Sequence, residues 1–292
     1  RYVLCDFEDD DFSATLRRSG FRQILAKDTF VHHFGGVTLN EVRTTHGNYK
    51  TIIEMRPVFQ HKWGIDPWTS RGHLVFLEQI LKDFSTGETP SRVLFIEPMF
   101  GEGLLTVRNH FRRLQTPVII DAIVTREQYM MEAAYMADSV IRLTSLDHLP
   151  DRVNGTYDMV ILGAFLNVVP ISDIISFFKE TYGLLNAKGV LYVSLLNYNS
   201  FEHVMENLPN DVPHLIYDSI LPLNGERVFP VPRLVYALKK EFSNKSVWVG
   251  YGVQSHYFGD ISLFEQTTNE ILGASDDLHY LLSGDMVALC IR

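Results

Sequence analysis

From residue 93 onward, short apolar runs alternate with longer amphipathic stretches, and this alternation constrains the fold more than any other feature of the chain. Strand VLFIE (93–97) precedes helix LLTVRNHFRRL (104–114), and strand VIIDAIV (118–124) precedes helix REQYMMEAAYMA (126–137). A short strand VIRL (140–143) follows, then strand YDMVILG (157–163), helix ISDIISFFKETYGLL (171–185) and strand VLYVSLL (190–196). Helix PRLVYALKKEF (232–242) and a hairpin of SVWVGYGV (246–253) with DMVALCIR (285–292) complete the series. Several of these runs are apolar on both faces, as expected of strands covered by helices on either side. The order predicts an α/β fold with a doubly wound, Rossmann-like, mostly parallel sheet and an antiparallel last strand. Ligand sites belong outside the carboxyl ends of such strands.

Two stretches of different texture come first. Residues 1–45 carry an acidic cluster, a short helix (FSATLRRSG) and a strand (FRQILA, 21–26), and residues 46–90 read as a helical connector with aromatic punctuation. The α/β domain then occupies 91–292. A formal charge of −9 with no dense basic run argues against nucleic acid as a partner, because counterion release needs a Lys/Arg surface. The most apolar window, MVILGAFLNVV (159–169), is shorter than the ~18 residues of a membrane span. Only Cys5 and Cys290 are present, which favours a reducing, cytoplasmic compartment over a disulfide scaffold. The chain opens inside the strand-like run RYVLCDF, so it is expected to be a fragment of a longer polypeptide.

The turn after the first strand, VLFIEPMFGEG (93–103), is where a bound nucleotide would sit. Gly101 and Gly103 also suit an ordinary strand-to-helix turn and close helix packing, or a different nucleotide or sugar ligand. Glu97, at the strand end, is favoured by the following helix dipole alone, by roughly 0.3–1 kcal/mol.

The phrases TYDMVILGAFLNVVP (156–170) and LLNAKGVLYVSLLN (184–197), with the order of elements, resemble class I methyltransferases over about 90–292. The resemblance implies an S-adenosylmethionine pocket built from the first loop, an acid at the end of the second strand and an acid beside the adenine. At those positions the chain departs from the family. Glu97 stands for the first glycine, Pro98 and Phe100 crowd the loop, and Val124 occupies the ribose-acid position, with Asp121 three residues too early. Ser145 aligns with the third acid, leaving Asp147 as a substitute, and Ala164, Asn167 and Val168 follow the fourth strand. Nucleoside hydroxyls taken out of water need acceptors. The expectation is therefore a methyltransferase-like domain that does not bind the methyl donor, with Glu97, Gly101, Gly103 and Asp147 as the cofactor-binding candidates.

The amino-terminal text CDFEDDDFSATLRRSGFRQILAKDTFVHHFGG (5–36) packs five carboxylates into residues 6–11. Acids in a first helical turn, with Arg17 and Arg18 near the last, are ordinary capping. The added spacing to Gly20-Phe21 and to His32-His33 resembles the closing part of family 2 glycosyltransferases with the A-type fold, over about 45 residues. By that resemblance Asp9, with Glu8, serves as the general base on an acceptor hydroxyl. Asp11 matches the second Asp, and His33 helps hold a divalent metal, Mg or Mn. KWG (62–64) resembles the tail that follows such domains.

The combined expectation is the carboxyl-terminal part of a glycosyltransferase of polysaccharide or glycoprotein glycan assembly, using a nucleotide-sugar donor and a glycan acceptor. One alternative is an active S-adenosylmethionine-dependent methyltransferase acting on a glycan, and the other a non-catalytic docking or dimerisation module. Association into a homo-oligomer is left open. Asn197, Asn199 and His203 are pocket-lining or plain loop residues, and 256–285 is a lid, an interface or core.

Overall fold

The computed structural model describes residues 7–24, 26, 28–32, 50–65, 74, 77–82, 90–163, 169, 171–196, 231–251 and 286–292. The candidates His33, Ala164, Asn167, Val168, Asn197, Asn199, His203 and the stretch 256–285 lie outside them.

Helix α1 spans Glu8–Arg18, α2 Lys50–Trp63 and α3 Leu77–Lys82. The α/β domain runs β1 (Ser91–Ile96), α4 (Glu102–Leu114), β2 (Val118–Val124), α5 (Met130–Met136), β3 (Ser139–Arg142), β4 (Tyr157–Leu162), α6 (Ile174–Gly183), β5 (Leu185–Leu196), α7 (Val231–Glu241), β6 (Val247–Tyr251) and β7 (Met286–Ile291). The seven strands form one sheet in the order β3-β2-β1-β4-β5-β7-β6. Pairings β1–β2, β2–β3, β1–β4 and β4–β5 are parallel, whereas β7 runs antiparallel to both β5 and β6. The strand order reverses between β1 and β4, which makes their carboxyl ends the switch point of a doubly wound sheet.

The unbroken apolar text of the strands has a direct cause. In β1, Leu94 and Ile96 face one core with Ile123, Val160 and Leu162, while Val93 and Phe95 face the other with Met159 and Ile161. Successive side chains alternate sides, so a strand covered on both faces has no polar position. Helix α4 meets this sheet through Leu104, Val107 and Phe111, which are at most 1% exposed. It begins at Gly101 (φ 82) and ends on Gln115 in the left-handed region (φ 56), with Arg112 and Arg113 in its last turn where the dipole favours them.

The amino-terminal segment departs from expectation in two ways. The acids do not precede α1 but form its first turn, where they complement the macrodipole. Phe21–Ile24 carry no regular structure, and all four are exposed, so the apolar pattern there did not find a partner strand. Among the described residues, no helix is long and apolar enough to cross a membrane.

Candidate functional site

The loop after β1 starts with a buried acid. Glu97 is 0% exposed and sits in the left-handed region (φ 53). Its amide donates to the Ile123 carbonyl at 2.9 Å, and its Oε1 accepts from the Thr125 amide at 2.5 Å. The residue thereby ties the carboxyl end of β1 to that of β2. Its Oε2 is buried and has no hydrogen-bond donor, with Arg126 Nε 4.0 Å away. Burial pushes the Glu97 carboxyl above its usual range; the Thr125 contacts and Arg126 pull the other way but less strongly.

The rest of the loop is tight. Met99, 4% exposed, repeats the positive φ (52), and Gly101 follows at φ 82. A non-glycine residue held there costs about 1–3 kcal/mol, so Glu97 and Met99 mark a backbone held in place by its surroundings. Gly101 supplies the turn at no steric cost. Gly103 serves packing: a Cβ there would lie 2.2 Å from Leu74 Cδ1 and 2.6 Å from the Phe95 ring. On the β4 side, a Cβ on Gly163 would meet the Glu97 carbonyl oxygen at 2.2 Å.

Beside this loop a cleft of about 590 Å³ opens between the residues that follow β2 and β3 and the wall of α6. Thr125 and Arg126 line it from β2, Ser145, Asp147 and His148 from β3, and Asp173 and Glu180 from the α6 side. Asp147 accepts from the Ser145 hydroxyl, and its own amide donates back to that oxygen at 3.1 Å. Glu180 accepts from the Leu149 amide at 3.2 Å. Among the described residues that line it, three carboxylates face one guanidinium, which favours a cationic ligand over an anionic one. Val124 is fully buried and presents nothing to the cleft, as its position implies. In its place stand Thr125 and Arg126, whose guanidinium Nε and Nη2 are buried without hydrogen-bond partners. The Arg126 guanidinium lies 4.7 Å from the Tyr129 ring centroid.

Glu97, Gly101 and Asp147 thus fall on the same end of the sheet, with Gly103 beneath it as a packing residue. Arg126 and Thr125 were not among the expected residues. One signal was present: a basic residue opens the helical text REQYMMEAAYMA, where the dipole favours an acid.

The amino-terminal acids are placed differently. Glu8 and Asp9 are exposed, and the Asp9 carboxylate accepts from the Asp10 amide at 2.9 Å. Asp11 is engaged in packing instead, accepting from Trp63 Nε1 at 2.7 Å and pairing with Lys62 Nζ at 2.7 Å. Among the described residues no group of three or more His, Cys, Asp or Glu is placed to hold a metal.

No protein-family model matches the chain, and no curated protein matches it either. Solved structures do. A SAM-dependent methyltransferase from Archaeoglobus fulgidus is 11% identical, with 80% of this chain and 97% of that chain covered at a TM-score of 0.51. The plantazolicin methyltransferase BamL, solved with a triazolic desmethylPZN analogue and SAH, is 13% identical, with 86% and 93% covered at a TM-score of 0.47. The first of these likenesses shows the fold: the domain is a class I methyltransferase-like α/β sheet with an antiparallel last strand.

Proposed function

We propose that the α/β domain binds S-adenosylmethionine and acts as a methyltransferase. The observation that carries the reading is Glu97 Oε2, a buried acceptor without a donor at the switch point of the sheet, next to a cleft dominated by carboxylates. S-adenosylmethionine is a cationic nucleoside, and its ammonium and sulfonium charges suit that acid-rich surrounding. The fold likeness to a SAM-dependent methyltransferase supports it.

One of the chain's several departures from the family pattern is at the ribose acid. Val124 presents no acceptor, but Thr125 and Asp147 line the same cleft. In this reading Glu97 holds the amino group, Thr125 and Asp147 take the ribose hydroxyls, and the Met99–Gly101 turn brings backbone close to the amino-acid part. When bound, the donor supplies an electrophilic methyl group on sulfur. The chain's own contribution is to orient it and to exclude water. A glycan hydroxyl is the proposed acceptor.

Calorimetric titration with S-adenosylmethionine and S-adenosylhomocysteine tests this. The expected result is binding at about micromolar Kd, weakened about tenfold in Glu97→Gln. Absence of heat for both ligands would favour a docking or dimerisation module instead.

The resemblance of residues 5–36 carries a second proposal, that the chain is the carboxyl-terminal part of a family 2 glycosyltransferase. The exposure of Glu8 and Asp9 leaves them available to an acceptor and to a divalent metal, with His33 as the further ligand. Nucleotide-sugar turnover is expected from a longer polypeptide containing a donor-binding half, and none from these 292 residues.

A further inference from the structure

The amino-terminal helix is fastened to the element that carries one wall of the cleft. Arg17 Nη1 reaches Glu132 Oε2 at 2.9 Å and Arg18 Nε reaches Glu132 Oε1 at 3.4 Å. The Glu132 side chain is 1% exposed, so this is a buried carboxylate held by two cations from a segment more than a hundred residues away in sequence. Arg18 Nη2 also donates to the Gln128 carbonyl at 3.4 Å, and its guanidinium lies 4.7 Å from the Trp63 ring centroid. One turn further on, Tyr135 Oη donates to the Phe21 carbonyl and accepts from the Gln23 amide, both at 3.3 Å.

Gln128 and Glu132 are not neutral docking points. Gln128 lies in the 3₁₀ turn Glu127–Tyr129, directly after the cleft residues Thr125 and Arg126. Glu132 sits in α5, and its carbonyl oxygen lies near Gly101 of the first loop, 3.5 Å from where a Cβ on that glycine would be. The stretch Gln128–Glu132 therefore meets α1 through Arg17 and Arg18, follows the Thr125–Arg126 wall directly in sequence, and lies near Gly101.

We infer that α1 is a working part of the nucleoside cleft, with Arg18 as a positioning residue that sets the Thr125–Arg126 wall through its fork onto Gln128 and Glu132. The inference rests on the proposed donor-binding role of the cleft. It adds that the amino-terminal segment and the cleft are coupled. Anything that engages α1 shifts ligand affinity, and ligand binding tightens α1 by the same factor. Arg18 is suited to this because two different guanidinium nitrogens, Nε and Nη2, reach two acceptors in one rigid plane, a geometry that the single nitrogen of a lysine does not reproduce.

The test uses the full chain and the variants Arg18→Lys and Arg18→Ala. Hydrogen exchange in the absence of ligand is expected to quicken in amides 125–132 of both variants, with β4 and β5 unchanged. S-adenosylhomocysteine is expected to bind Arg18→Lys about tenfold more weakly than wild type, and to slow exchange in α1 of the wild type. Unchanged exchange at 125–132 overturns the inference whatever binds in the cleft. So does faster exchange there with unaltered affinity in Arg18→Lys, which would leave Arg18 a purely structural contact. If the wild type binds no S-adenosylhomocysteine while exchange at 125–132 still responds to Arg18, the brace stands and the methyl-donor reading falls.

Discussion

The Glu97 carboxylate accepts a hydrogen bond from the Thr125 amide at 2.5 Å and so closes the gap between the ends of β1 and β2 with one of its oxygens, leaving the other buried and without a donor. Burial holds its proton more tightly in the folded chain than in the unfolded one, where the ordinary value of 4.5 applies. Stability contributed by this group is therefore present at low pH and is lost as pH rises from that ordinary value through the raised one. Glu97→Gln removes the titration while keeping an acceptor for Thr125. Thermal midpoints of variant and wild type are expected to coincide near about pH 4–5 and to diverge in favour of the variant towards about pH 8. A constant difference across that range would show that Glu97 does not titrate there.

Gly163 lies against the same residue from the β4 side. A methyl group on it would sit 2.2 Å from the Glu97 carbonyl oxygen, which belongs to backbone and cannot swing away. Gly163→Ala is expected to cost about 3 kcal/mol. Gly183, the last residue of α6, has open space around its Cβ position, and Gly183→Ala is expected to stabilise by about 0.5 kcal/mol. Urea midpoints of the two variants measure this contrast.

Much of the domain was legible because its strands are covered on both faces. VLFIE, VIIDAIV and YDMVILG are mainly apolar on both faces, and β1, β2 and β4 fall within a residue or two of the expected spans. FRQILA looks equally apolar, yet Phe21–Ile24 form no strand, since a pattern of alternation does not supply a neighbour to pair with. Glu97 could be picked out as an acid at a strand end. Its partner could not, because only the parallel register of β1 on β2 brings residue 97 beside residue 125. The Arg18–Glu132 contact joins positions 114 apart and leaves no periodic trace. The acids of α1 were legible as a cluster, but Asp11 proved to be spent on Lys62 and Trp63.

At the other end of the sheet, Tyr157 donates to Asp121 at 3.0 Å, and Arg92 pairs with the same carboxylate at 3.1 Å. Burial first, then the Asp121 charge, keep the Tyr157 hydroxyl protonated well above its ordinary range. Tyr157→Phe removes this bond to a charged acceptor and is expected to cost about 1.5 kcal/mol. Because Tyr157 opens β4 and the cleft lies beyond the strands' carboxyl ends, S-adenosylhomocysteine affinity is expected to stay the same. A fall in affinity matching the loss of stability would mean that the cleft depends on global rather than local structure.

The central claim is that the acid-lined cleft beside Glu97 is built for a cationic nucleoside. A crystal structure of the chain grown with S-adenosylmethionine tests it most directly. The account predicts the ligand's amino group at Glu97 Oε2 and its ribose hydroxyls between Thr125 and Asp147. Contradiction would be the same ligand at saturating concentration leaving the cleft filled by solvent alone, or seated elsewhere with Glu97 untouched.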